Sequence, residues 1–160
     1  MSTLHGMADI RSLIADVAAT PSNLADLVRD TTDQRLDNAA TGEWPARTVL
    51  AHLRDDEFMV NRLRLERMLV EDEPDLAPFD EKAWAESRYK GRDARDELID
   101  DFRTQREASI AILKRCQPND WLRIGHQPEY GSFDIHWWLQ HWLEHDQTHL
   151  AQVRDALSAS

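Results

Sequence analysis

The chain is 160 residues long, 41% hydrophobic and 31% charged, the make-up of one ordinary globular domain with enough apolar material for a continuous core. Its formal charge of −11, with 19 Lys and Arg scattered among 30 acids, argues against a phosphate-gripping surface and against anionic membranes. Neither nucleic acid nor membrane is expected as a partner, and a small-molecule substrate is left.

Cys116 is the only cysteine, so no intrachain disulfide can form and a reducing cytoplasm fits best. The start "MSTLHGMADI" lacks the basic residues and apolar run of a signal peptide. No apolar stretch approaches the ~20 residues of a membrane span. A cytoplasmic location is expected. With only 5 Gly and 6 Pro and almost no β-branched runs, helices should dominate.

In chain order, Ile10, Leu13, Ile14 and Val17 give residues 7–19 a helical period, and "TPS" at 20–22 predicts a break. A second helix starts at Pro21, suited to a first turn, and carries Leu24, Leu27 and Val28. "NAATGE" (38–43) is the next break. "WPARTVLAHL" opens a long helix with Pro45 at its first position, ending near Val70. "EDEPDLAP" (71–78) reads as a loop, and "FDEKAWAE" as a short helix.

Residues 93–116 form another amphipathic helix, with Leu98, Phe102, Ile110 and Leu113 inward. "PNDWLRIGHQPEYG" (118–131) is a long connection with aromatics. The last helix runs from Ser132, as N-cap, to Leu157. The chain therefore predicts an all-α protein, a single 1–160 domain built as a four-helix bundle, with residues 1–20 as an extra N-terminal helix.

At about 100° per residue, His141, His145 and His149 share one arc of the last helix with Trp138 and Trp142. A second arc carries Ile135, Leu139, Leu143, Leu150, Val153 and Leu157. Apolar over most of its circumference, this helix should be covered on two sides, one of them by a second subunit in a homodimer. Histidines at i and i+4 can reach one metal ion, though an isolated pair is as readily a packing pair. Their tryptophan neighbours place them in the interior, where imidazoles need partners.

His52 is the candidate third ligand. It lies at the edge of the arc formed by Val49, Leu50, Leu53 and Val60. Asp56 and Glu57 fall inside that arc, unusual for carboxylates. Either they receive the second N–H of a ligating imidazole, or they pair with an arginine from another helix.

"HDQTH" (145–149) is one change from the zinc-protease signature HExxH. A third protease ligand normally lies downstream, and only eleven residues follow His149, with Asp155 their sole candidate. Asp146 is a methylene short and turned about 100° from His145. The protease reading fails. So does a di-iron bundle, since no histidine has a Glu three residues before it.

The segments "GEWPARTVLAHLRDDE" (42–57) and "HDQTHLAQV" (145–153) resemble the DinB/YfiT-like family of metal-dependent proteins. "DFRTQREASIAIL" (101–113) and the connection from His126 to Gly131 are similar more weakly. The resemblance implies an up-down-down-up bundle, often dimeric. It also implies a divalent metal, zinc or nickel foremost, held by three histidines that map onto His52, His145 and His149. His141 lies outside that triad and is left to line the pocket or support a ligand, as Asp56 and Glu57 could.

Relatives of that family transfer low-molecular-weight thiols such as bacillithiol or mycothiol, or isomerise with their help. Three neutral ligands leave an open metal position, where a bound thiol would become thiolate. A thiol S-transferase acting on small electrophiles is therefore the leading expectation, with the low-molecular-weight thiol as second cofactor. A hydrolase using activated water and a metal- or ligand-binding bundle without turnover are the alternatives. Cys116, at a helix end, is not expected to supply the thiol. Trp44, Trp84 and Trp121 either line an apolar pocket or pack the core.

Overall fold

The stripe Ile10, Ile14, Val17, Pro21, Leu24 and Val28 is buried at spacings of three and four, the repeat that keeps one helix face on a core. In the computed structural model, which describes residues 2–88, 90–91 and 93–159, this stripe belongs to one helix, α1 (Ser2–Val28), with Pro21 inside it. The expected break at 20–22 does not occur. Proline lacks the N–H that would serve the carbonyl four residues back. That carbonyl, on Val17, accepts instead from Arg106 Nη1. A tertiary contact satisfies what the proline left open, so the expected N-terminal extension and the first bundle helix are continuous.

After the one-turn α2 (Asp33–Leu36), α3 (Ala46–Asp56) runs through a π-helical segment (Glu57–Arg62) into α4 (Leu63–Val70). Pro45 takes the N-cap position rather than the first helical one. The short α5 (Glu81–Ser87) is capped by Asp80, whose side chain accepts from the Ala83 N–H. Then come α6 (Arg95–Leu113), a 3₁₀ turn (Asp120–Leu122), strands β1 (Ile124–Gln127) and β2 (Gly131–Asp134), and α7 (Ile135–Ser158). Ser132 lies in β2, and Asp134 caps α7 by accepting from the Trp137 N–H.

The connection expected over 118–131 thus contains half of an antiparallel hairpin, in which Gly125 pairs with Phe133 and His126 with Ser132. Its turn closes on Gly131 at φ +74°, a conformation that glycine adopts without the cost of a Cβ.

Four long helical stretches make the bundle. α1 packs against α6 and α7, and α3 packs against the same two, so α1 sits diagonally from α3 and α6 from α7, while α3 and α6 are neighbours. Two apolar clusters fill the interior. One gathers Ile14, Val17, Leu65, Met68, Leu139 and Trp142, and the other Leu24, Leu50, Leu53, Leu98, Phe102 and Val153. α7 lies between α1 and α3, so its broad apolar circumference is covered within the chain. The second apolar arc therefore does not itself require a partner subunit. Among the described residues no helix is long and apolar enough to cross a membrane.

Candidate metal centre

His52 is buried on α3, and His145 and His149 stand one turn apart on α7. Packing of α3 on α7 aims all three Nε2 atoms at one point. The Nε2 separations are 3.2 Å (His52 to His145), 3.0 Å (His52 to His149) and 3.2 Å (His145 to His149). Nitrogens bound at roughly 2.0–2.1 Å to a tetrahedral ion lie about 3.3 Å apart, so the triangle fits a single small divalent cation. His141 does not join it.

Burial, then the neighbouring imidazoles, push His52 down to about 3. Burial and His145 push His149 down to about 4. Both rings are neutral at pH 7, the form that coordinates. His149 Nδ1–H donates to Gln152 Oε1 at 2.7 Å, which leaves its Nε2 lone pair facing the centre.

Nδ1 of His52 and of His145 is buried without a hydrogen-bond partner among the described residues, as is Oδ1 of Asp56. Asp56 Oδ1 lies 3.6 Å from His52 Nδ1, and its Oδ2 3.6 Å from His145 Nε2. Burial and the charge of Glu81 push Asp56 up to about 9. A buried carboxylate beside converging imidazoles fits a cation, which would favour the ionised acid.

The sequence reading missed Glu81. Its carboxylate lies 3.6 Å from His52 Nε2 and 3.9 Å from His145 Nε2, and its oxygen belongs with the three imidazole nitrogens to one cluster of candidate ligands. Burial raises its pKa, but His145 and His52 outweigh this and hold it near 2. α5 brings it there because two residues within about the next two turns, Trp84 and the C-cap Arg88, dock on α3. Trp84 Nε1–H donates to Asp55 Oδ2 at 3.0 Å, and Arg88 pairs with the same oxygen at 2.8 Å. Trp84 is therefore an anchor and Trp121 a core residue, while Trp44 meets His52 edge-on at 5.4 Å between ring centres. The only signal for Glu81 was its place in the predicted short helix.

Glu57 is turned away from the centre. It takes a two-point ion pair from Arg106 on α6, at 2.9 Å to each oxygen. One residue beyond Asp56 on a helix is about 100° round, so of the two inward acids only Asp56 faces the histidines. Asp146 of "HDQTH" also pairs with Arg106, and Thr20 Oγ1 donates to it at 2.6 Å. His141 stacks on Trp137 (5.0 Å, 9°) and meets Tyr130 at 4.8 Å, forming an aromatic wall one turn before His145. Cys116 packs against the cluster that holds Trp121, and burial pushes its thiol up to about 11.

The chain and its fold have known counterparts. The description "DinB superfamily" matches residues 17–153. A protein of Oceanobacillus iheyensis named "Putative metal-dependent hydrolase OB0782" is 28% identical over 145 residues, 90% of this chain and 83% of that one. "Putative metal-dependent hydrolase YfiT" of Bacillus subtilis is 39% identical over 67 residues, 41% of this chain and 37% of that protein. The solved structure of YfiT from Bacillus subtilis, described as a probable metal-dependent hydrolase with an unusual four-helix bundle topology, superposes with a TM-score of 0.85 at 23% identity. That match covers 92% of this chain and 85% of the other.

Proposed function

The chain belongs to the DinB superfamily, and from that premise we propose that it is a metal-dependent hydrolase of small molecules, with His52, His145 and His149 as the metal ligands. One observation carries the reading: an ionised carboxylate, Glu81, stands 3.6 Å from His52 Nε2 and 3.9 Å from His145 Nε2, at the point where the imidazoles converge. The names of the curated relatives point the same way.

His52, His145 and His149 would hold a divalent ion, which would supply Lewis-acid chemistry: a more acidic water and a polarised substrate oxygen. Glu81 accepts the proton of the attacking water, and its depressed pKa keeps it ionised for that role. Asp56 Oδ1 faces the outer Nδ1 of His52 at 3.6 Å, beyond hydrogen-bond reach, and would favour the tautomer whose Nε2 lone pair points inward. Gln152 does the same for His149. The wall of Tyr130, Trp137 and His141 offers apolar surface to the rest of the substrate.

Transfer of a low-molecular-weight thiol to an electrophile uses the same open position, but a thiolate there would meet the negative charge of Glu81 at close range. Zinc- or nickel-loaded protein should be assayed against ester, amide and phosphoester panels, with and without glutathione, bacillithiol or mycothiol. We expect turnover without thiol, lost in Glu81→Gln while the metal stays bound. Turnover that needs a thiol and survives Glu81→Gln would replace hydrolysis by thiol transfer.

A further inference from the structure

Buried arginines in this chain come with acids. Arg106 holds Glu57 and Asp146, Arg54 holds Asp55 and Asp101, and Arg88 holds Asp55 and Asp93. Arg64 is the exception among the described residues. It is 7% exposed, yet it forms no ion pair. One N–H, at Nη2, donates to the Ala77 carbonyl at 2.9 Å, and the guanidinium lies over the Trp138 ring at 5.1 Å. Its remaining N–H groups have no protein acceptor among those residues. Nε and Nη1, which lack such acceptors, are not sealed off, so they stay open to an incoming one, and burial lowers the pKa of Arg64 where those of Arg88 and Arg106 are raised.

The backbone puts this cation on the same helix face as His52, about three turns further along. Arg64 follows His52 by twelve residues, which on an unbroken α-helix sets it about 120° round. The intervening π segment, Glu57–Arg62, holds one extra residue in its wide turn and takes back roughly 100°. Arg64 thereby returns to the His52 and Asp56 face. Trp138 beneath it stacks on His141 at 5.4 Å, one turn from His145. Tyr130 meets the same His141 at 4.8 Å between ring centres, and its pKa, raised mainly by burial, is lowered by Arg64.

We propose that Arg64 recognises a carboxylate on the substrate, placing a bond elsewhere in that molecule at the His52, His145 and His149 centre; the substrate class is then small carboxylic acids carrying a second, hydrolysable group. The proposal rests on the hydrolase reading for the reacting centre. A planar guanidinium with free N–H groups matches a carboxylate two-pronged. In a chain of net charge −11, Arg64 is the side chain at this site that adds a second positive charge to that of the bound cation.

Two hydroxamates test it, one made from succinic acid with its far carboxylate free, the other with that carboxylate as the neutral primary amide. By calorimetry on zinc-loaded protein, the acid should bind at least tenfold tighter than the amide. Arg64→Gln should bring the two together without changing the amide's affinity, and Arg64→Lys should restore part of the preference. Equal affinities in the wild type, or a preference that persists in Arg64→Gln, would overturn the proposal.

Should Arg64→Gln not fold, ¹⁵N spectra of arginine side chains in the wild type decide: the Arg64 Nε signal should move with the acid and not with the amide, and a signal unmoved by both refutes it. Metal stoichiometry is measured separately. If no metal is taken up, the hydrolase reading falls, and succinate against succinamide on metal-free protein, read by the same Arg64 signal, still decides this one.

Discussion

Arg106 Nη1 donates to Asp146 Oδ2 at 2.6 Å in a pair wholly sealed from solvent. The guanidinium also holds Glu57 with two hydrogen bonds and the Val17 carbonyl, so one side chain of α6 ties together α1, α7 and the π segment after α3. The acid inside "HDQTH" is thus a structural partner, and it leaves the histidines on either side free to face the other way.

Removing one member of such a network strands a buried charge, which costs about 3–5 kcal/mol. Asp146→Ala and Arg106→Met should each lose stability on that scale in urea unfolding, and the double variant should lose less than the sum. Losses under about 1 kcal/mol would show that the pair carries little of the fold.

Each of His52→Ala, His145→Ala and His149→Ala should weaken zinc or nickel binding by at least about 100-fold in competition with a chelator. Gln152→Ala removes only the partner of His149 Nδ1 and should cost roughly 10–100-fold. Unchanged affinity in any histidine variant would remove that residue from the centre.

The metal-free protein should be most stable near pH 6.5. His52 and His149 titrate near 3 and 4 when folded and near ~6.5 when unfolded. The unfolded chain therefore takes up protons first, and stability drains away as pH falls below ~6.5. Asp56, pushed up to about 9 in the fold, binds a proton there that the unfolded chain releases near ~3.9. It opposes the histidines in the acid range without cancelling two of them, and it erodes stability as pH rises toward 9, joined only above ~8.5 by Cys116. Thermal melts from pH 5 to 9 should trace a maximum whose alkaline limb disappears in Asp56→Asn. A flat profile would mean these groups are not held in their neutral forms.

Cys116 should be inert. With its thiol pushed up to about 11, the thiolate fraction near neutrality is roughly 300-fold below that of a free cysteine titrating at ~8.5. Iodoacetamide at pH 7.5 should label the native protein far more slowly than the unfolded chain, and Cys116→Ser should leave metal binding unchanged. Rapid labelling would reopen the question of a protein-borne thiol.

The later long helices, and the shared face of His145 and His149, are legible in the sequence alone. Apolar spacing is set by the helix repeat itself, so α6 and α7 were found within a few residues. The i, i+4 placement of His145 and His149 guarantees that they share a face wherever the helix goes. His52 came from the resemblance of its segment to a family, supported by the inward acids around it.

What tertiary structure decided was where unpaired groups found partners. Pro21 looked like a break because its cost is local, while the compensating Arg106 lies 85 positions further on. Asp56 and Glu57 are neighbours in sequence, and only the positions of α6 and α7 sent one to the arginine and the other to the imidazoles. Glu81 carries no periodic signal in a seven-residue helix and reaches the centre because Asp55 draws in Trp84 and Arg88. Arg64 shares the His52 face only because the chain widened into a π turn. Periodicity is a property of the backbone alone, but the partner of a buried charge depends on which elements pack beside it.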